Sequence, residues 1–469
     1  MNKGYIRALV LLVFLATTFS ACKDYLDIKP YGRTVPKSAE EFSALLHNHL
    51  NDLDVGNTNY LVGTATLWNE WDGAFGDDFE PSLTGVAGRS LRIYVGDVLG
   101  STAAYTPWQL NYEVIRDCNI CLDGVEDRDS EMGRKVLATA HALRAVAYWQ
   151  LMRLYCEAPI AGQTEQQLGL PLIKTFDMNA KVGRSSLAAT IAFIEQDLKA
   201  AIALDNKDAI YRFTPEVCWG YLARLYHWAE QWQQALDASN KVLVMRPLVE
   251  GEAYRTMFEG KGELSGSQLL KSYRVITGTQ TFTNALSFIQ ARPVSARLIS
   301  LFPENERAKD SRYQQWFNSK RQVQKYYFCG MRSAEMALIA AEAECHLGQE
   351  TAALARLNAL RRLRIADYTE LTSATLPAVS TTELIRKDAT GKDLSPLLAT
   401  ILRERRKELF MEGDRFFELK RCGAPSFTSI YNARAYTTES YMYTFPIPPS
   451  DVQLSSLEQN PGYTDFITE

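Results

Sequence analysis

Two tryptophans that lie three residues apart are surrounded by polar side chains in an irregular stretch of the sequence. Trp68 and Trp71 enclose Asn69, and Asp72 follows directly. Indole faces can stack on the C–H faces of a pyranose ring, while amides and carboxylates form hydrogen bonds with its hydroxyls. These residue types at this spacing indicate contact with a carbohydrate. Packing of the tryptophans within the loop is the alternative.

A second irregular stretch, residues 262–324, carries two more aromatic candidates, Tyr273 and Trp316. Long structured loops on a rigid frame are usually functional. We therefore predict that both residues contribute to ligand contact. The full set of candidate ligand contacts is Trp68, Asn69, Trp71, Asp72, Tyr273 and Trp316.

Catalytic and metal chemistry have little support in the sequence. Asp77 and Asp78 are a carboxylate pair, but adjacent residues of an extended chain point to opposite faces, whereas glycoside hydrolysis needs two facing carboxyls. Cys118 and Cys121 have zinc-like spacing without a second pair to complete a tetrahedral site. No nucleophile elbow, Walker A loop or HExxH motif occurs. The sequence predicts no enzyme, no metal site and no cofactor.

The N-terminus has the features of an export signal. Lys3 and Arg7 precede an apolar run at residues 8–18, which is shorter than the roughly 20 residues that span a bilayer. Ser20 and Ala21 then precede Cys22, a pattern typical of lipoprotein cleavage. We expect removal of residues 1–21 and acylation of Cys22, which anchors the chain to a membrane. An ordinary signal peptide with an incidental cysteine is the alternative.

The charge of the chain argues against nucleic-acid binding. Removal of residues 1–21 eliminates two basic side chains and lowers the formal net charge from −4 to −6. Binding to a phosphate backbone requires concentrated lysine and arginine. The sequence also contains no second uncharged apolar run of membrane-spanning length. The predicted lipid anchor is therefore the one expected contact with the membrane.

The elements that must position the candidate residues are helices. Apolar residues recur with a 3.6-residue period in four stretches, which are 107–125, 134–155, 186–204 and 397–421. Two further stretches follow the tetratricopeptide pattern of small and bulky residues, in which small residues stand where paired helices touch. Their pattern positions are Ala223, Tyr226, Ala235, Ser239, Val242 and Pro247 in the first stretch, and Ala341, Gly348, Ala353, Leu357 and Leu360 in the second.

The two tetratricopeptide-like units are not in tandem, because Ala235 and Ala353 lie 118 residues apart. The sequence predicts a mainly α fold, a tetratricopeptide-like superhelix with long irregular insertions, rather than a regular solenoid. We expect a single domain over residues 22–469. Its helical framework comprises residues 107–247 and 331–421, and its insertions comprise residues 51–100, 262–324 and 366–392.

Charged residues on the framework are predicted to be structural. Glu404, Glu408 and Glu412 recur every four residues, and Arg405, Lys407 and Arg415 each lie three residues from one of them. Pairing at i,i+3 would relieve the repulsion within this row. Arg144 and Glu335 stand on apolar helix faces, where an unpaired charge would be costly, so we expect buried partners for both.

Six segments of the chain resemble one family, the SusD/RagB-like outer-membrane lipoproteins of Bacteroidetes. The segment CKDYLDIKP is similar to the family's opening, an acylated cysteine followed by a short LD..P segment. The resemblance runs in family order from Cys22 to Tyr463 and leaves the long loops unmatched. Cys156 and Glu157 depart from it, because the family often has glycine there. The other five segments are WQLNYEVIRDCNICLDGV, ALRAVAYWQLMRLYCEAPI, RSAEMALIAAEAECHLG, ILRERRKELFMEGDRFFELKRCG and FPIPPSDVQLSSLEQNPGY.

This resemblance implies a SusD-like fold and a lipid-anchored, surface-exposed protein of the outer membrane. It also implies capture of a nutrient, usually an oligosaccharide, and partnership with a SusC-like TonB-dependent transporter. Two alternatives are a peptide-binding member of the same architecture and a scaffold whose only partner is the transporter. Neighbouring genes would discriminate between an oligosaccharide ligand and a peptide ligand, because glycosidase genes would favour the first and peptidase genes the second.

Overall fold

Helices dominate the protein. The structure, a computed structural model, describes residues 36–55, 60–63, 73–80, 94–177, 180–258, 264–272, 290, 292–325 and 328–463. Sixteen α-helices, α1 to α16 in chain order, lie within these ranges. They are Ala39–Val55, Gly96–Leu99, Thr102–Gly124, Glu131–Tyr155, Leu187–Ala203, Pro215–Trp228, Trp232–Met245, Gly251–Thr256, Ala296–Ser300, Glu304–Arg307, Ser311–Trp316, Ser333–His346, Glu350–Arg362, Pro396–Glu408, Arg415–Arg421 and Pro449–Ser455.

The strands of the described residues form three small antiparallel pairs. The first joins β1 (Leu168–Pro171) to β2 (Arg184–Ser186), and the second joins β3 (Gln268–Lys271) to β4 (Gly330–Arg332). The third is a hairpin of β5 (Phe427–Tyr431) and β6 (Arg434–Thr438). These short pairs are additions to a helical body, so the predicted mainly α class is confirmed. None of the described helices is long and apolar enough to cross a membrane.

The long helices stack in chain order, and each one from α3 to α7 packs against the next. Helix α7 then packs against α12, and α12 packs against α13 and α14. The two tetratricopeptide-like units, α6 with α7 and α12 with α13, are thus neighbours in space. Small residues lie at their contacts, because Ala223, Ala235, Ala341 and Ala353 are all buried. The predicted repeat pattern is confirmed, and the chain between the units leaves the stack and returns to it.

The last periodic stretch, 397–421, is divided into two helices. Helix α14 ends at Glu408 and α15 begins at Arg415, with Met411 and Gly413 in the left-handed region at φ 59° and 74°. In a continuous helix, the backbone carbonyls here would accept hydrogen bonds from backbone amides. Side chains from other parts of the chain donate to them instead. Arg332 donates to the carbonyl of Glu408 at 2.6 Å. The periodicity of the apolar residues does not reveal this break, because almost every residue of both helices is buried and no change of buried face marks it.

The buried pairing expected for the framework charges is confirmed. Arg144 bonds Asp197 in two places, at 2.7 and 2.8 Å. Glu335 receives hydrogen bonds from Arg224 at 2.6 and 2.8 Å. Bidentate pairs of this kind are among the stronger ion pairs. They fasten neighbouring helices of the stack to each other.

The expected pattern of i,i+3 pairs around Glu404, Glu408 and Glu412 is mostly wrong. Only Glu404 has its predicted local partner among the described residues, Lys407 at 2.7 Å. The carboxylate of Glu408 instead bonds three arginines, Arg312, Arg332 and Arg364, at 2.7 to 3.0 Å. The row of glutamates faces the interior, where local lysine and arginine side chains do not suffice to neutralise it.

His227 of α6 is buried in this interior and is expected to make stability depend on pH. Its Nε2 lies 2.8 Å from Glu342, and burial together with the charge of Arg421 lowers the pKa of His227 to about 4. An unfolded histidine has a pKa of about 6.5, so unfolding takes up a proton between these values. The free energy of unfolding should therefore fall on acidification from about pH 6.5 to about pH 4, by at most about 3 kcal/mol for this group.

Urea unfolding at a series of pH values between 4 and 7 measures this effect. His227→Gln keeps a donor for Glu342 but cannot titrate, so its dependence on pH should be shallower than that of the unmodified protein. His47→Gln, at a half-buried histidine of α1, is the control. Equal slopes for His227→Gln and the unmodified protein would contradict the assignment.

Candidate functional site

Trp316 is a core residue, so its predicted role as a ligand contact is wrong. Its side chain is only 1% exposed. The indole packs edge-on against Phe258 with 5.7 Å between ring centroids, and the ammonium of Lys325 lies 4.2 Å from the indole centroid. Trp316 therefore belongs to a small hydrophobic cluster that joins residues 262–324 to Phe258 and to Phe79 of the other insertion.

The other candidate contacts lie outside the described residues. These are Trp68, Asn69, Trp71, Asp72 and Tyr273, together with the lipidation candidate Cys22. The residues on either side of the two aromatic segments, 64–72 and 273–289, are described. Their contacts establish where each segment is attached to the helical body.

The two aromatic insertions leave the helical body beside each other. Ser272, which directly precedes Tyr273, donates its hydroxyl to the carbonyl of Leu53 at 2.6 Å. Leu53 lies near the end of α1, where the insertion at residues 51–100 begins. Both residues are buried. This contact joins the end of α1, where the first insertion begins, to the residue that precedes the 273–289 segment of the second.

The insertions also return beside each other. The guanidinium of Arg292 donates to the carbonyl of Gly73, the residue that directly follows the 64–72 segment. A short antiparallel contact continues from there, because Phe79 pairs with Val294 and the amide of Glu80 donates to Pro293 at 2.9 Å. The described residues that follow the segments carrying Trp68, Trp71 and Tyr273 are thus held together.

Two buried ion pairs hold this junction to the helical body. The guanidinium of Arg406 donates to Asp78 and that of Arg415 donates to Asp77, both at 2.8 Å. Burial raises the pKa of Asp77, but Arg406 and Arg415 outweigh burial and hold that pKa below its ordinary value. Both carboxyls are occupied by arginine and buried. The acidic pair is therefore an anchor and is not available for glycoside hydrolysis.

Helix α14 anchors both insertions at once. Arg406 holds residues 77–78, while Glu408, two residues later, holds Arg312 and Arg332 on the other insertion and its return strand. The segment ERRKELFMEGDR thus connects the bases of the two aromatic segments. The residue types of this segment predict a charge network, but its partners lie too far away in the chain to be inferred from spacing.

A groove of about 700 Å³ lies beside α3, on the surface of the helical body. Trp108 and Tyr112 form part of its lining, with ring centroids 4.8 Å apart, and Tyr105 stands one turn before them. Asp451 of α16 lies on the facing wall. Ligand pockets commonly measure about 300 to 1,000 Å³ and combine aromatic surface with a few polar groups. The sequence does not reveal this groove, because its walls are distant in the chain.

A second half-buried aromatic pair lies where residues 81–93 meet the described structure. The rings of Tyr94 and Tyr436 are tilted by 39° with centroids 4.9 Å apart. Partial burial and the nearby charge of Asp97 raise the pKa of Tyr94. Hairpin β5–β6, which carries Tyr436, therefore contacts the insertion at residues 51–100 through Tyr94.

The described residues provide no better candidate for acid catalysis than the aspartate pair. Burial raises the pKa of Glu418 to about 7, but this carboxyl lines a small cavity of about 60 Å³. That volume is far below the size of a ligand site. Among the residues that the structure covers, no cluster of histidine, cysteine or carboxylate side chains could hold a metal ion. The seven described cysteines are free.

The helix pairs are stacked, and both insertions are anchored to the same helix. This architecture is that of a helical-repeat protein with candidate ligand contacts in its insertions. Two family models match this chain. The first, described as the SusD family, matches residues 305–463, and the second, described as starch-binding associating with outer membrane, matches residues 24–227. The chain belongs to the SusD/RagB family, and one of its two matching models is described as starch-binding.

Individual relatives agree with this assignment. SusD-like protein P25 of Formosa agariphila is 24% identical over 164 residues, which make up 33% of this chain and 31% of that protein. The chain thus matches less than a third of that relative's length. The whole-chain evidence for the fold comes from solved structures.

Three solved structures illustrate the shared fold. A SusD-like carbohydrate-binding protein of Bacteroides vulgatus is 20% identical, with a TM-score of 0.65, covering 90% of this chain and 97% of that one. A sugar-binding protein of the same organism, described as putative, reaches a TM-score of 0.69 at 19% identity, covering 92% and 100%. A laminarin-binding SusD-like protein has a TM-score of 0.59 at 18% identity, covering 91% and 100%. At these identities the likeness establishes the fold alone.

Proposed function

We propose that this protein is a cell-surface lipoprotein that binds an oligosaccharide and delivers it to a SusC-like TonB-dependent transporter of the outer membrane. Cys22 carries the lipid anchor after removal of residues 1–21, and residues 22–469 form one domain. Membership of the SusD/RagB family, with one matching model described as starch-binding, is the observation that carries this proposal. The protein contributes binding and no catalysis.

In this proposal the ligand contacts the insertions. Trp68 and Trp71 stack on sugar rings, Asn69 and Asp72 bond hydroxyl groups, and Tyr273 approaches from the other insertion. The joint attachment of both segments supports this assignment, because the contacts of Leu53 with Ser272 and of Gly73 with Arg292 keep their ends together. Anchoring a binding loop on a rigid body lowers the entropic cost of binding.

A glycan panel tests the proposed function. The purified protein is run in native affinity gels containing starch, laminarin, or plant, host or microbial polysaccharides, and positive glycans are measured by calorimetry. We expect retardation by at least one glycan and no hydrolysis of it on prolonged incubation. A protein that instead binds extended peptides, or binds only a co-purified transporter, would overturn the glycan assignment.

A further inference from the structure

We propose that the groove beside α3 is a second carbohydrate site, which binds a short neutral oligosaccharide independently of the insertions. The inference rests on the proposed function for the class of ligand, but its site is different. The groove is formed by α3, by the chain around β1 and β2 and by the start of α16. None of the residues that attach the two aromatic insertions lines it.

The aromatic side of the groove is rigid before a ligand arrives. Tyr105, Trp108 and Tyr112 occupy positions i, i+3 and i+7 of α3 and so share one helix face. The hydroxyl of Tyr112 donates to the carbonyl of Pro171 at 3.0 Å, and its ring packs against that of Trp108. Rings that are already fixed lose little entropy when a sugar stacks on them. Tyr105 and Tyr112 are both half-buried, so part of each remains accessible.

The rim of the groove carries polar groups suited to sugar hydroxyls. Gln109 donates to Glu113 at 3.0 Å along the exposed edge of α3, which leaves the amide oxygen and a carboxylate oxygen available. Arg116 follows one turn later on the same edge, with its Nε bonded to Asp117. A carboxylate or guanidinium can bond two neighbouring hydroxyls of one ring, as in other bidentate contacts.

Asp451 brings a carboxylate from the opposite wall. Tyr112 is buried enough for its pKa to be raised well above the ordinary value, and Asp451 contributes to that increase from across the groove. Tyr112 and Asp451 line the same groove of about 700 Å³, so one ligand can contact both walls. The rim contains acidic residues on both walls and a basic residue on one, which suits an uncharged ligand with many hydroxyls.

The same walls suit a peptide less well. Binding of an extended peptide by strand addition needs a row of free backbone donors and acceptors. Here the lining includes Pro171, Pro448 and Pro449, which have no N–H to donate. Strand β1 already pairs with β2. A proline-rich peptide could still lie on aromatic rings, so the experiment includes one.

Calorimetry of the full chain with maltohexaose and with laminarihexaose counts the sites. The groove variant combines Tyr105→Ala with Gln109→Ala, and the loop variant combines Trp68→Ala with Trp71→Ala. The control is Gln233→Ala, because Gln233 donates to Asp237 across one turn of an exposed helix at 3.0 Å, the same arrangement as Gln109 and Glu113. Circular dichroism and urea unfolding verify that each variant is folded.

We expect two binding sites on the unmodified protein and on the control variant. The loop variant should retain the groove site alone. The groove variant should retain the insertion site, with the dissociation constant at the groove raised at least tenfold and that site therefore no longer detected. Binding that survives in the loop variant and disappears in the groove variant also supports the inference. One site, unaffected by the groove variant, overturns the inference and leaves the proposed function intact. Failure of every glycan to bind overturns both. Binding of a proline-rich decapeptide in the groove, with no hexasaccharide there, overturns the carbohydrate assignment.

Discussion

Glu408→Gln is expected to lower the free energy of unfolding by about 3 to 5 kcal/mol, the usual cost of breaking a buried ion pair by removal of one partner. The carboxylate of Glu408 is fully buried, and it neutralises Arg332, Arg312 and Arg364 at 2.7, 3.0 and 3.0 Å. Burial raises the pKa of Glu408, but the three arginines outweigh burial and hold that pKa well below its ordinary value. The native site therefore depends on the negative charge.

When this charge is removed, the three arginines differ in the number of carboxylate partners that they retain. Arg312 retains Asp310 at 2.8 Å, and Arg332 retains Glu412 at 2.9 Å. Arg364 loses its one described carboxylate partner and keeps two backbone carbonyls and the ring of Tyr254, whose centroid lies 3.7 Å from the guanidinium. A buried guanidinium without a counter-ion is the main source of the expected cost.

Urea unfolding, monitored by tryptophan fluorescence, measures this change. The urea concentration at the midpoint should be lower, and the dependence of the unfolding free energy on urea concentration should be unchanged. Glu252→Gln is the matched control, because Glu252 pairs with Arg255 on the exposed surface, where such a pair is worth about 1 kcal/mol or less. Glu408→Asp keeps the charge on a shorter side chain, so its unfolding midpoint should lie between those of Glu408→Gln and Glu252→Gln. A midpoint for Glu408→Gln equal to that of Glu252→Gln would show that the cluster does not stabilise the protein.

The consequence for function follows from the position of Glu408. Its partners Arg312 and Arg332 belong to the insertion around Tyr273 and to the strand by which that insertion returns. Loosening them should weaken glycan binding as well as stability, although no ligand touches Glu408. Under the proposed function, Glu408→Gln should raise the dissociation constant while Glu252→Gln leaves it unchanged.

The sequence was a good guide wherever local spacing determines structure. The small residues at Ala223, Ala235, Ala341 and Ala353 correctly predict two antiparallel helix pairs, because close helix contact tolerates few other side chains. The buried charges of Arg144 and Glu335 were predictable for a similar reason. An isolated charge on an apolar face requires a partner wherever that partner comes from.

The sequence was a poor guide where the decisive contacts are distant in the chain. The arginines around Glu408 lie 44 to 96 residues away from it. Trp316 was misread because an aromatic residue among turn-forming residues looks the same whether it faces a ligand or a small local core. The groove beside α3 was missed because Tyr112 and Asp451 become neighbours only in the folded chain.

Trp68→Ala with Trp71→Ala is expected to weaken glycan binding at the insertions at least 100-fold, or about 3 kcal/mol. Buried aromatic anchors dominate the energy of most recognition sites, and truncating one commonly costs about 2 kcal/mol or more. Without the two rings, the polar contacts of Asn69 and Asp72 should not be able to retain a sugar. Each hydrogen bond from a sugar hydroxyl to the protein replaces one to water, so its net contribution to binding is small.

Trp219→Ala is the control for this double variant, because Trp219 is a half-buried aromatic residue that lies outside both insertions, under the ammonium of Lys241 at 3.6 Å. Calorimetry with the best glycan of the panel should give an unchanged constant for Trp219→Ala. A change of less than threefold in the double variant, with the protein folded, would remove both tryptophans from the site. Binding would then depend on Tyr94 and Tyr436, the aromatic pair that borders the same insertion, or on the groove beside α3, and the corresponding alanine variants would discriminate between them.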